Sequence, residues 1–312
     1  MEHTVTQNLP DTIQQTALRL TERLFSTPPT ATTGNRRVEV HSLVSHEHLP
    51  LYLFAMKSLA YYWHDFSAVV HDDGTITDAD RAILRQHVLG VDVVTRAAAD
   101  AMMADLLTDY PLISSVRRRN VRILQLTDYF MLSDADMVIG MDSDILFFDT
   151  PTEVAQWTKD PGEVALLYSP EEGWEPQGVH WIPDAFPDAP YVPYMCCGFA
   201  CTDRGRFFDA DFLEHLMRKT PPTVLGAPRY VTQMFYSLLG GRLGKAAHSL
   251  GEPYRSGPWE WLPRAERRVL CHYFASHNGG KTSENLCRDP GLFAAVLDRI
   301  DDGGSSRPQI GL

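Results

Sequence analysis

Between residues 37 and 141 the apolar positions switch repeatedly between a two-residue and a helical period. Residues 38–44 read as a strand and residues 51–63 as an apolar, aromatic-rich helix. Residues 67–71 read as a second strand, closed by the turn chemistry of Asp72-Asp73-Gly74. Thr77 is placed to cap a helix running to about residue 89, with Asp78 and Asp80 in the first turn, where the helix dipole favours acids. A third strand at 91–94, helices at 97–107 and 121–131, and the buried run Met137-Val138-Ile139-Gly140-Met141 complete a βαβα order. That order predicts an α/β fold: a Rossmann-like, mainly parallel central sheet flanked by helices. Such sheets bind ligands beyond the carboxyl ends of their strands, where the strand order reverses.

Both flanks differ in texture. Ahead of the sheet, Asp11 opens a helix that sets Ile13, Ala17, Leu20 and Leu24 on one face, followed by the linker 26–34. This helical appendage either packs on the body or mediates self-association as a homo-oligomer; the pattern alone allows both. Behind it, residues 170–193 hold six prolines and two tryptophans, as expected of a functional loop or lid. Strand patterns return at 198–202 and 269–274, and helical ones at 204–219 and 230–239.

Composition narrows the function. The chain has 312 residues, 44% of them hydrophobic and 22% charged, as in an ordinary soluble domain with its own core. With 28 Lys and Arg against 40 Asp and Glu, the formal net charge is −12, which argues against a nucleic-acid binder. Five cysteines with no C-x-x-C pair read as buried thiols rather than as zinc ligands or a disulfide framework. No apolar run approaches the ~20 residues of a membrane span. Residues 1–10 lack the basic and apolar regions of a signal peptide, so the reading is a soluble, cytoplasmic protein without a transmembrane segment.

Asp142-Ser143-Asp144 carries the chemistry. An apolar strand delivers two carboxylates one residue apart and a second apolar run, 145–148, follows. In extended backbone, residues i and i+2 point the same way, so Asp142 and Asp144 converge at the sheet's carboxyl edge. Their repulsion is relieved by a hard divalent cation, Mg²⁺ or Mn²⁺, which keeps open positions for substrate phosphates. Asp134 and Asp136 repeat the spacing without an apolar strand before them and read as a solvated turn.

With that strand, the segment 121–148 resembles the central region of nucleotide-sugar-dependent glycosyltransferases of the GT-A fold, closest to the glycogenin-like, galactosyltransferase-like retaining families. Further segments agree in order over roughly residues 37–285. The strand ending in Val44, Ser45 and His46 resembles the family's first strand, whose following loop holds the nucleoside. Arg122 is similar to a basic residue that contacts the donor. Cys196-Cys197-Gly198-Phe199 stands where the family has an Asn-x-Gly strand beside the sugar, and Thr232-Gln233 resembles its Asp-Gln pair. Cys271-His272-Tyr273-Phe274-Ala275 resembles a late His-Phe-x-Gly segment whose histidine completes the metal site. The chain departs from the family pattern at Cys196 and Thr232, and it lacks a Lys-Pro-Trp tail. Within His277-Asn278-Gly279-Gly280-Lys281, only Lys281 replaces that tail's charge. His277, in a glycine-rich loop suited to phosphate, is the alternative to His272 as metal ligand.

The resemblance implies one catalytic domain over 37–300, with a nucleotide-binding half at 37–150 and an acceptor half at 151–300. Residues 1–36 form the appendage and 301–312 a tail. It implies a hexosyltransferase that moves a sugar from a nucleotide diphosphate sugar, a UDP-sugar by preference, to an acceptor that is a sugar, peptide or small aglycone. Asp142, Ser143, Asp144 and His272 or His277 lie at the metal and diphosphate. Arg122, Gly280 and Lys281 assist the phosphates, and Cys197, Gly198 and Gln233 face the sugar. Retention puts Gln233 at the reacting face; inversion requires a carboxylate base, for which Glu171, Glu172, Asp184 and Asp188 are candidates. Trp174 and Trp181 either stack on a sugar or pack their loop, and His46 and His48 either flank the base or lie free on the surface. Two other readings stay open: a metal-dependent nucleotidyltransferase, and a binding module that has lost turnover.

Overall fold

The central sheet is built around three strands with almost continuous burial: β1 (Val38–Val44), β2 (Ser67–Asp72) and β4 (Met137–Met141). Strands covered on both faces read as apolar runs rather than alternations, and all five residues of β4 are buried. β3 (Asp92–Val94), β6 (Leu166–Pro170), β7 (Met195–Asp203) and β8 (Ala247–Ser249) complete a seven-stranded sheet in the order β8-β6-β7-β4-β1-β2-β3. All neighbours are parallel except β7, which runs antiparallel to both β4 and β6. The computed structural model describes residues 11–171, 182–226, 231–256, 268–273 and 290–302.

The chain progresses outward from β1 to β3 and then returns to β4 on the other side of β1. The order therefore reverses between β1 and β4, which is where open α/β sheets take their ligands. Beyond β4 the chain leaves the main sheet through Asp142-Ser143-Asp144 and enters β5 (Ile145–Phe147). β5 pairs antiparallel with β9 (Leu270–His272), setting His272 opposite Ile145. Two backbone bonds fix this crossing: Asp142 N–H donates to the Gly198 carbonyl at 2.8 Å, and Tyr273 N–H donates to the Asp144 carbonyl at 2.8 Å.

Alternate residues of β4 feed two apolar layers. Ile139 packs with the helix Leu49–Tyr62 and the C-terminal helix Pro290–Asp301, Val138 with the helices Pro111–Arg119, Ala210–Lys219 and Val231–Gly241. The N-terminal helix, Asp11–Ser26, belongs to the first layer. Ala17, Leu20 and Leu24 are buried there, and Arg23 pairs with Asp298 at 2.7 Å and Asp301 at 2.6 Å. Packing on the body, one of the two roles its pattern allowed, is observed for Ala17, Leu20 and Leu24.

Several boundaries differ from the sequence reading for local reasons. The helix expected over 121–131 is a 3₁₀ turn, Val121–Gln125, and a short helix, Asp128–Met131. Asn120 caps the first piece, while the Thr127 hydroxyl bonds the Ile123 carbonyl and Asp128, competing with the helical ladder. Arg117-Arg118-Arg119 ends a helix opened by Pro111, and Arg117 is buried on Asp128. Asp209 restarts the helix expected over 204–219. Residues 88–89 leave the helix capped by Thr77 and pair in parallel with Thr30–Ala31. β6, β8 and the C-terminal helix were not read from the pattern.

Candidate active site

The crossing between the two sheets brings three ligand-type side chains together. Oxygens of Asp142 and Asp144 and a ring nitrogen of His272 lie within 4.8 Å of one another. His272 Nε2 stands 3.2 Å from Asp144 Oδ1 and 3.5 Å from Asp142 Oδ2. Its other nitrogen, Nδ1, is 3.2 Å from the Ser256 hydroxyl and 3.4 Å from the Cys196 thiol. A ring held at Nδ1 presents Nε2 outward, the usual way a metal-binding histidine is oriented.

Electrostatics couple the three groups. Burial works against charge on His272, yet the Cys196 thiol and the carboxylates of Asp144 and Asp142 raise its pKa well above the ordinary value. Burial likewise opposes ionisation of Asp144, but His272, with His48 beyond it, holds that carboxyl below the usual range. Two carboxylate oxygens and one imidazole nitrogen form a donor set suited to Mn²⁺ or Mg²⁺, with a proton on Nε2 as the competitor for the same space.

Gly198 makes the approach possible. A Cβ at this position would lie 2.2 Å from His272 Cε1, 2.8 Å from Nδ1 and 3.0 Å from Asp142 Oδ2. The Gly198 backbone thereby approaches the histidine ring closely. Cys196, expected beside the sugar, turns its thiol to that same ring.

A second group converges next to it. Gln233 Nε2 donates to Glu171 Oε2 at 3.1 Å, and Cys197 Sγ lies 3.7 Å from Gln233 Oε1. Glu171 is only 7% exposed, and burial pushes its carboxyl pKa up. Among the candidate bases, Asp184 and Asp188 are exposed, whereas Glu172, Trp174 and Trp181 lie outside the described residues.

The remaining candidates fall around the β1 and β4 ends. Val44 is buried at the end of β1, and the Ser45 hydroxyl accepts from His48 N–H. His46 is tied to Asp80 at 2.8 Å, with its side chain 62% exposed. Asp72 and Asp73 are engaged in their own turn, accepting from Gly74, Thr75 and Ile76 N–H. Asp136 pairs with Arg37 at the surface. Ser143 is buried between Asp142 and Asp144. Arg122 is exposed, and the side chain of its segment that reaches the carboxylates is Gln125, one 3₁₀ turn later, whose Nε2 donates to Asp142 Oδ1 at 2.6 Å. Nothing in the spacing singled out Gln125, because it depends on a 3₁₀ turn where a helix was expected. His277, Gly280 and Lys281 lie outside the described residues, so His272 is the histidine observed with the carboxylates.

No family model matches the chain, and no curated protein matches it by sequence. Solved structures do match by shape. The galactosyltransferase LgtC, crystallised with donor and acceptor sugar analogs, superimposes with a TM-score of 0.52 at 17% identity, over 87% of this chain and 98% of that one. Mouse xyloside xylosyltransferase 1 in its apo form gives a TM-score of 0.50 at 12% identity, over 78% of this chain and 99% of that one. The fold is GT-A. The mainly parallel sheet with its reversed strand β7 is therefore this chain's version of the GT-A core.

Proposed function

We propose that this chain is a metal-dependent glycosyltransferase that moves a sugar from a nucleotide diphosphate sugar, a UDP-sugar by preference, to an acceptor hydroxyl. The observation that carries the reading is the convergence of Asp142, Asp144 and His272 at the switch point of a GT-A sheet. These three residues would hold Mn²⁺ or Mg²⁺. Such a cation neutralises charge on the diphosphate as the anomeric C–O bond breaks.

The chain's own groups divide the remaining work. The end of β1 and the loop after it, with Val44, Ser45 and His46, face the nucleoside; Arg122, Gly280 and Lys281 serve the phosphates. Cys197, Gly198 and Gln233 form the sugar wall. Glu171 joins that wall as a buried carboxyl hydrogen-bonded to Gln233. Retention, favoured by the family resemblance, leaves Gln233 at the reacting face; inversion assigns the acceptor's proton to Glu171. No helix among the described residues is long and apolar enough to cross a membrane, and the proposed place of action is the cytoplasm.

The test is NDP release from a panel of NDP-sugars with Mn²⁺. Slow hydrolysis of one donor, lost in Asp144→Asn, supports the transferase. Absence of donor binding by calorimetry in the presence of metal overturns it.

A further inference from the structure

Asp142 carries two oxygens, and the structure treats them differently. Oδ2 faces His272, while Oδ1 accepts the 2.6 Å hydrogen bond from Gln125. An ionised carboxylate only accepts, so the Gln125 amide turns its N–H₂ toward Asp142.

Gln125 is itself anchored from three sides. Asn120 caps its 3₁₀ turn, Ile123 and Leu124 are buried beneath it, and its backbone carbonyl accepts from the Tyr236 hydroxyl at 2.8 Å. Tyr236 sits on the same helix as Gln233, whose amide reaches Glu171. One rigid helix thus links the metal-side carboxylate to the proposed sugar wall. The backbone of Asp142 is pinned separately by its bond to the Gly198 carbonyl, so the Gln125 amide governs rotation of the carboxylate alone.

We propose that Gln125 is a positioning residue for the metal centre: by occupying Asp142 Oδ1 it leaves Oδ2 as the oxygen that Asp142 presents to the cation. The inference rests on the metal reading above and deepens it. A neutral amide suits this role physically. A carboxylate here would repel Asp142, and a lysine or arginine would neutralise the charge the cation needs.

The test is calorimetric titration of Mn²⁺ into the full chain, with electron paramagnetic resonance of free Mn²⁺ as a second readout. Gln125→Met keeps the volume and removes the donor. Its Mn²⁺ affinity should fall by about 10–100-fold, the usual effect of losing a group that orients a ligand, with a circular dichroism spectrum like that of the wild type. Tyr236→Phe releases the Gln125 carbonyl while keeping the amide, and should lower affinity in the same direction by less. It also serves as the test if Gln125→Met does not fold. A purely structural Gln125 would shift the melting temperature and leave affinity untouched. Variants that bind Mn²⁺ as tightly as the wild type overturn the inference alone. A wild type that takes up neither Mn²⁺ nor Mg²⁺ overturns the metal reading, and this inference with it.

Discussion

Gly198→Ala is the smallest change that should dismantle the proposed centre. The added methyl carbon would lie 2.2 Å from His272 Cε1 and 2.8 Å from Nδ1. Carbon atoms in good contact sit about 3.5–4.0 Å apart, so the ring must retreat by more than ~1 Å. It has little room to do so. Nδ1 is held by Ser256 and Cys196, the His272 backbone pairs with Ile145, and Gly198 is pinned by Asp142 N–H. Overpacking of this kind costs about 1–3 kcal/mol. For a chain somewhat larger than the range where 1 kcal/mol moves the melting temperature by ~2–4 °C, the drop should be several degrees. The functional loss should be larger than the stability loss. Displacing Nε2 breaks the donor set, so Mn²⁺ affinity should fall at least as far as when an orienting group is lost, about 10–100-fold. Gly205→Ala provides the control: its Cβ meets nothing closer than Asp203 Oδ1 at 3.8 Å. Calorimetric Mn²⁺ titration and thermal melts of both variants decide the matter. A Gly198→Ala protein with wild-type melting temperature and Mn²⁺ affinity would refute the reasoning.

Two further outcomes follow from buried charge. His41 and His71 are stacked at 5.1 Å and hydrogen-bonded to each other, and burial holds both pKa values below the ordinary 6.5, that of His71 far below. The unfolded state then binds more protons than the folded one below pH 6.5, so stability is full above that pH and declines below it. A histidine that stays neutral loses ~1.4 kcal/mol per pH unit, or about 2 kcal/mol between pH 6.5 and 5.0. Urea unfolding at both pH values should therefore show a shallower acid decline in His71→Gln, and parallel curves for variant and wild type would count against the argument. Arg117, 4% exposed, forks onto the fully buried Asp128 at 2.6 and 2.7 Å. Arg117→Met should destabilise by about 3–5 kcal/mol, and adding Asp128→Leu should recover a large part of that; a double variant no more stable than the single one would contradict it.

How far the sequence could be read depended on the range of the signal. β1, β2 and β4 were legible because strands buried on both faces carry the information in their own residues. Asp142 and Asp144 were legible because extended backbone projects alternate residues together. β6 and β8 were not, since a five-residue strand ending in proline and a three-residue edge strand owe their conformation to their neighbours. The same limit explains Gln125 and Cys196. Their contacts to Asp142 and His272 span 17 and 76 positions along the chain, and no local period encodes them. Arg122 attracted attention by its charge, but the neutral residue one 3₁₀ turn later makes the contact. Glu171 was one acidic loop residue among four until β6 set it against Gln233.

Asp128 and the pair Asp142 and Asp144 are treated in two ways, and the contrast bears on how a protein of net charge −12 would bind the proposed diphosphate. Asp128 receives a permanent cation, Arg117, and its charge is spent on structure. Asp142 and Asp144 receive none: among the described residues, no lysine or arginine pairs with either. The group that orients Asp142 from outside is neutral, the Gln125 amide, while His272 is held at Nδ1 by the Ser256 hydroxyl and the Cys196 sulfur. At Gly198 there is no side chain at all. The positive partner built into the centre is His272, a titratable group that can give up its proton. A neutral support holds Asp142 in place without discharging it, so its negative charge remains available to a divalent ion. A centre that first captures a cation can then accept phosphate oxygens that the bare chain would repel.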